Sequence, residues 1–118
     1  MEECRMYHIM SLNMKPGRDT DFKNWYKKNK ENLAKYVPKG WKFVGIYGAT
    51  MGLGKHDMTQ IYEFKDFADL DRMRNYSHPV ADRLNAEFMD FILPGSFETM
   101  VLREADDWVT TEPRKPQK

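Results

Sequence analysis

Cysteine is nearly absent from this chain: Cys4 is the only one in 118 residues. An internal disulfide is excluded, and a single thiol falls far short of the roughly four Cys or His ligands that a zinc site wants. A reducing, cytoplasmic setting is the expectation. Long apolar runs are missing as well. No stretch nears the roughly 20 residues that a bilayer-spanning helix needs, so no membrane partner is expected. The opening MEECRMYHIM has no basic segment followed by an apolar one, so no signal peptide is expected either. Nor is either charge in surplus. Lys and Arg total 19 against 18 Asp and Glu, a net +1. Binding a phosphate backbone requires a clustered basic excess, so nucleic acid is not an expected partner. Lys27, Lys28 and Lys30 do cluster, but acidic residues flank them, as on a solvated helix face.

What is present suits one small domain, expected over residues 1–109. The polar TTEPRKPQK (110–118) is expected to be a disordered tail. RMYHIMSLNM (5–14) is rich in strand formers and stops at Lys15-Pro16-Gly17. Asp19 or Thr20 can then cap a helix whose apolar stripe holds Phe22, Trp25, Tyr26, Leu33, Tyr36 and Val37, with Asn29 among them. Pro38 and Gly40 end it. WKFVGIYGATM (41–51) and DMTQIYEF (57–64) read as a second and a third strand. DFADLDRMRNY (66–76) restarts a helical period and His78-Pro79 breaks it. Pro79 suits the first turn of the next piece, where its missing N–H costs nothing. FETMVLRE (97–104) is the last strand. The order strand, helix, strand, strand, helix, strand is the ferredoxin-like βαββαβ pattern, an α+β fold with a four-stranded antiparallel sheet.

GATMGLGKHDM (48–58) holds three glycines and a lysine, which raises the question of a phosphate-binding loop. Five residues separate Gly48 from Gly54 where a P-loop has four. His56 stands where Ser or Thr belongs, and a strand follows rather than a helix. The segment is expected to be a hairpin whose glycines supply positive φ.

Right-handed crossovers place both helical segments on one face of such a sheet. Yet both sides of the strands are apolar. Met6, His8, Met10, Leu12 and Met14 alternate with Tyr7, Ile9, Ser11 and Asn13. On the second strand Trp41, Phe43, Tyr47 and Met51 fall on one side, with Val44 and Ile46 on the other. Met58, Tyr62 and Phe64 oppose Ile61, and Phe97 and Val101 oppose Met100 and Leu102. A sheet wetted on one side alternates into polar residues. A bare face this apolar calls for a cover, and a second copy packed about a two-fold axis is the simplest one. Nine methionines and 14% aromatic residues suit such an interface.

The element order, together with YHIMSLNMKPG (7–17), resembles the dimeric α/β-barrel superfamily, and NIPSNAP-like proteins most closely. The opening of those proteins, Y-E-L-R-T-Y-T-L-K-P-G, is followed at Tyr7, Ile9, Ser11, Met14, Lys15, Pro16 and Gly17. GWKFVGIY (40–47) and QIYEFKDFADLDRMR (60–74) are similar to later segments of the family. The resemblance implies a homodimer with a small cavity in each subunit. The lead expectation is binding of a small hydrophobic or aromatic molecule, with its oxidation by a cofactor-independent, monooxygenase-type reaction as an extension; the alternative is a non-catalytic NIPSNAP-like interaction module. The family's Glu and Arg in the first strand are His8 and Met10 here. Polyketide cyclase-like barrels end a Y-x-x-H-P-x-H run on a catalytic His; this chain keeps Tyr76, His78 and Pro79 but has Ala81 at that place. The quinone-forming and haem-degrading members use an Asn in the first strand, for which Asn13 is the candidate, and a Trp near the second helix, for which residues 42–107 hold none.

Six residues are candidates for chemistry. His8, amid methionines, could act as a general base or haem ligand, or be a histidine hydrogen-bonded inside the fold. Gln60 and Tyr62 share one side of the third strand, with Tyr47 on the second strand a candidate third. Together they could set polar tips in an apolar cavity. His78 could meet a ligand where the second helical piece begins, or simply occupy a turn. Asn13 stands before a turn, where Asn is common for structural reasons. His56 is expected in a solvated loop, and the Asp69/Asp71 and Asp106/Asp107 pairs are expected to be exposed. No metal or organic cofactor is implied, haem through His8 or His78 being a weaker third reading.

Overall fold

The computed structural model describes residues 5–51 and 54–107; Cys4, Gly52 and the expected tail lie outside them. The chain forms β1 (Met6–Leu12), α1 (Asp19–Lys35), β2 (Lys42–Gly48), β3 (Met58–Phe64), α2 (Ala68–Asn75), α3 (Pro79–Asp90) and β4 (Glu98–Arg103), then a short 3-10 turn at Ala105–Asp107. The strands lie in the order β2-β3-β1-β4, and every neighbouring pair is antiparallel. Each helical connection therefore passes over a strand that it does not join. This is the ferredoxin-like topology expected from the order of elements.

The helices cover the side of the sheet that carries Met6, Leu12, Met58 and Phe64, all 3% exposed or less. Leu12 and Met58 pack with Phe22 of α1, Phe88 of α3, and Phe91 and Ile92 just beyond it. Met6 and Phe64 pack with Trp41, and Leu70 and Met73 of α2 close over them. Asn29, the polar member of the α1 stripe, is buried and donates from Nδ2 to the Trp25 carbonyl at 2.9 Å, which satisfies it within its own helix.

Four expectations need correction. First, neither Asp19 nor Thr20 caps α1. Arg18 holds the N-cap position without a side-chain bond, and Asp19 is already helical. Gly17, at φ +79°, turns the chain so that the helix starts there. The Arg18 guanidinium reaches across to Asp90 at 3.4 Å and lies 4.5 Å over the Phe91 ring.

Second, the described hairpin glycines, Gly48 and Gly54, do not use positive φ. Asn13 ties the hairpin instead: its Oδ1 accepts from the Asp57 N–H at 2.8 Å, while Asp57 Oδ2 accepts from the Met14 N–H at 3.1 Å. His56 is likewise held rather than solvated, with Nε2 3.3 Å from Glu98.

Third, a bulge between Phe43 and Gly45 breaks the alternation of β2. Phe43 pairs with Tyr62 and Ile46 with Gln60, all on the helix side, whereas Tyr47 pairs with Thr59 on the open side. Val44 is the extra residue, and a one-residue insertion flips every later side chain. The Tyr47 ring lies over Gly45, where an added Cβ would stand 3.1 Å from its hydroxyl.

Fourth, Asp69 is 2% exposed rather than on the surface. Its Oδ2 accepts from the N–H groups of Lys65 and Asp66, each at 3.1 Å. Its Oδ1 pairs with Arg72, and its carbonyl accepts the Trp41 indole N–H at 2.7 Å. Burial pushes this carboxyl upward, but the Asp66 and Lys65 amides and the Arg72 charge outweigh it and hold the group below its ordinary value. Asp71, its sequence partner, is exposed as expected.

Candidate functional site

Tyr62 is the centre of the polar residues on the helix side of the sheet. On β3 it stands opposite His8 of β1 and Phe43 of β2, and its ring meets Phe43 edge-on at 5.3 Å. The Trp41 ring touches both His8 and Tyr62 at 5.8 Å and stacks on Phe64 at 4.7 Å. Gln60, two residues earlier on the same face, lies between Met10 and Ile46. α1 brings Leu33, with Tyr36 just past its end, and α3 brings Ala81, Leu84, Asn85 and Phe88. Between them, Gln60 and Tyr62 face a cavity of about 60 Å³. At about 10–15 Å³ per water this holds on the order of four waters.

Burial pushes the Tyr62 hydroxyl upward, with the Gln60 hydrogen bond opposing, and burial holds the His8 imidazolium below its ordinary value. The polar side chains that line this inner compartment are the amides of Gln60 and Asn85 and the phenols of Tyr36 and Tyr62, with no Lys, Arg, His, Asp or Glu among them. The compartment can hydrogen-bond an uncharged group but offers nothing to neutralise an ion.

His78 takes the N-cap of α3 in extended backbone, and its Nδ1 accepts from the Val80 N–H at 3.1 Å. Its ring lies 4.6 Å from that of Tyr36, which lines the inner compartment. Gln60, Tyr62, His8 and, through Tyr36, His78 thus belong to one region. Two candidates do not. Tyr47 is on the other side of the sheet because of the bulge. Asn13 holds the turn together: beyond the bond of its Oδ1 to Asp57, its backbone N–H donates to Ser96 Oγ at 2.9 Å and its carbonyl accepts from Leu93 at 2.8 Å.

Ile46 also forms part of a second, larger space. A groove of about 710 Å³ runs between the first half of α1 and the β2–β3 hairpin, open to the outside. Its floor is Met14, Phe22, Tyr26, Ile46 and Met58, and Lys15, Lys23 and Lys27 stand on its rim. The Tyr26 hydroxyl accepts the Ile46 N–H at 3.1 Å, so the pair forms a hydrogen-bonded partition between groove and inner compartment. The bulge turns Ile46 toward the helices and so makes this wall. The groove residues escaped the sequence reading. The available signal was Phe22/Tyr26 and Lys23/Lys27, two i,i+4 pairs on adjacent stripes of one helix.

Among the described residues no group of three His, Cys, Asp or Glu is placed to hold a metal ion. No helix among them is long and apolar enough to cross a membrane.

No family model matches the chain, and no curated protein does. Solved structures do. A NIPSNAP-family protein of unknown function from Agrobacterium tumefaciens superposes with a TM-score of 0.68 at 15% identity, over 88% of this chain and 91% of that one. The chain has the fold of NIPSNAP-like proteins. An uncharacterised NIPSNAP-like domain protein from Burkholderia xenovorans gives 0.66 at 10% identity, over 99% and 94%. A dimeric ferredoxin-like protein of unknown function from Thermobifida fusca gives 0.60 at 10% identity, over 88% and 94%. Identities this low carry the fold and leave the chemistry to the residues.

Proposed function

We propose that this protein is a homodimer that binds a small hydrophobic molecule in the groove between α1 and the β2–β3 hairpin. The observation that carries it is the groove itself. A volume of about 710 Å³ over an apolar floor falls within the roughly 300–1,000 Å³ typical of small-ligand pockets. The expected oxidation of an aromatic molecule is not part of the proposal. A ring beside Tyr62 would need more room than the compartment of about 60 Å³ there, since an apolar cavity that takes benzene measures about 150 Å³.

The dimer is supported by the open face of the sheet, where Tyr7, Ile9, Ile61, Met100 and Leu102 share one side. Supporting it too is the dimeric state of the ferredoxin-like neighbour from Thermobifida fusca.

The neutral dye phenylnaphthylamine tests the ligand site, since its fluorescence rises on entering an apolar site. Gly48 lines the groove, and a Cβ added there meets nothing within 4 Å. Gly48→Phe should therefore plug the groove without disturbing the fold and abolish the fluorescence gain, with circular dichroism unchanged. Dye binding that survives Gly48→Phe would refute the site. Sedimentation tests the dimer. A monomer at micromolar concentration would rule it out and release the open face for another protein, the interaction-module reading.

A further inference from the structure

The rim of the groove narrows the class of ligand, given that the groove is the binding site. Lys15, Lys23 and Lys27 all line it. Among the described residues none of these three ammonium groups pairs with a carboxylate, which is equally true of Lys28, Lys35 and Lys42 elsewhere; what sets the three apart is that they gather on one groove. Two carboxylates share the lining, Asp57, which accepts from the Met14 N–H, and Asp19, one helical turn before Lys23; neither closes an ion pair with the three ammonium groups, so three positive charges stand against two negative ones. Lys23 and Lys27 are one helical turn apart, so their side chains run along the same edge. Directly inward of them lie the Phe22 and Tyr26 rings, stacked at 6.0 Å with 8° between planes.

Such a site presents unpaired positive charge on one margin and apolar surface beneath it. A neutral hydrophobic molecule would draw nothing from the solvated ammonium groups, and a small polar anion would leave the floor uncovered. We infer that the groove binds an amphipathic carboxylate, its apolar body on Phe22, Tyr26, Ile46 and Met58 and its carboxylate against Lys23 and Lys27. The inner compartment, with no charge to offer, is not where that carboxylate goes.

The test is competition against phenylnaphthylamine by naphthoate and by naphthamide, which share a ring system and differ in charge. Naphthoate should displace the dye about fivefold better, the gain expected from two solvent-exposed ionic contacts. The double variant Lys23→Gln/Lys27→Gln should remove that advantage and leave the affinity for dye and naphthamide within about twofold. Raising the salt concentration should erode the advantage in wild type only. Equal competition by the two compounds on wild type overturns the carboxylate assignment while apolar binding stands. So does an advantage that survives the double variant. Absence of dye binding removes the groove as a ligand site, and this inference with it.

Discussion

On the helix side of β1, Met6 and Leu12 are 2% and 0% exposed; on the open side of β4, Met100 and Leu102 are 54% and 46% exposed. The residue types are the same and the two strands are hydrogen-bonded neighbours. What differs is cover. The helix side is closed by α1, α2 and α3 over β1 and β3, where Met6, Leu12, Met58 and Phe64 each meet partners from another element, while Val101 on the outer strand β4 stays 42% exposed. The open side has no such roof among the described residues. Apolar residues placed on both faces of one sheet show that the composition of a strand tells how much surface must be buried, and not what buries it.

That contrast can be broken most severely on the covered side. Phe64→Ala removes a ring with no exposed surface that stacks on Trp41, and should cost about 3–5 kcal/mol, read as a lowered urea midpoint. Asp69→Ala should cost about 3 kcal/mol. It leaves the part-buried Lys65 and Asp66 amides without the charged acceptor they share, and Arg72, itself about half exposed, without its partner.

On the open side the same loss of apolar surface should act on assembly instead. Met100→Lys with Leu102→Lys should weaken self-association roughly thirtyfold or more in sedimentation, while circular dichroism of the subunit stays unchanged. Unfolding by this pair would mean that the open face belongs to the core of the single chain.

The smallest effects are in pH. His8 has its folded pKa lowered by burial from an ordinary 6.5, so the unfolded chain takes up that proton more readily. Its contribution is complete above that value and is lost as pH falls through the folded value. Asp69, lowered from 3.8, follows the same sign in a more acidic window. Urea midpoints measured from pH 7 downward should therefore fall in two steps. His8→Gln should flatten the upper step, and Asp69→Asn the lower.

The order of elements was legible because each signal is local. Pro16-Gly17 stops β1, steps of three and four mark α1, and Pro79 sits at the first turn of α3. Gln60 and Tyr62 were legible as neighbours because β3 keeps strict alternation. The bulge was not. Nothing in KFVGIYG says that Val44 is extra, and the consequence was to misplace Tyr47 and Ile46 together. Asp69 was hidden for a related reason. A charged residue in a polar helix reads as solvated unless one knows that Gly40 comes close enough for an added Cβ to stand 2.5 Å from its carboxylate. Asn13 looked like a site residue because its type and place suit one. Its partners, Asp57, Leu93 and Ser96, come from distant segments.

The chain's own letters settled the number and sequence of its strands and helices, and that more apolar surface is present than one layer of helices can hide. Periodicity and turn chemistry act over a few residues, so they survive in the one-dimensional text. Which tyrosine faces which side, and where a groove opens, were decided only when segments 20 to 62 residues apart met, as Tyr26 meets Ile46 and Trp25 meets Glu87. Those are relations between side chains in space, fixed by register and packing, and no local pattern encodes them.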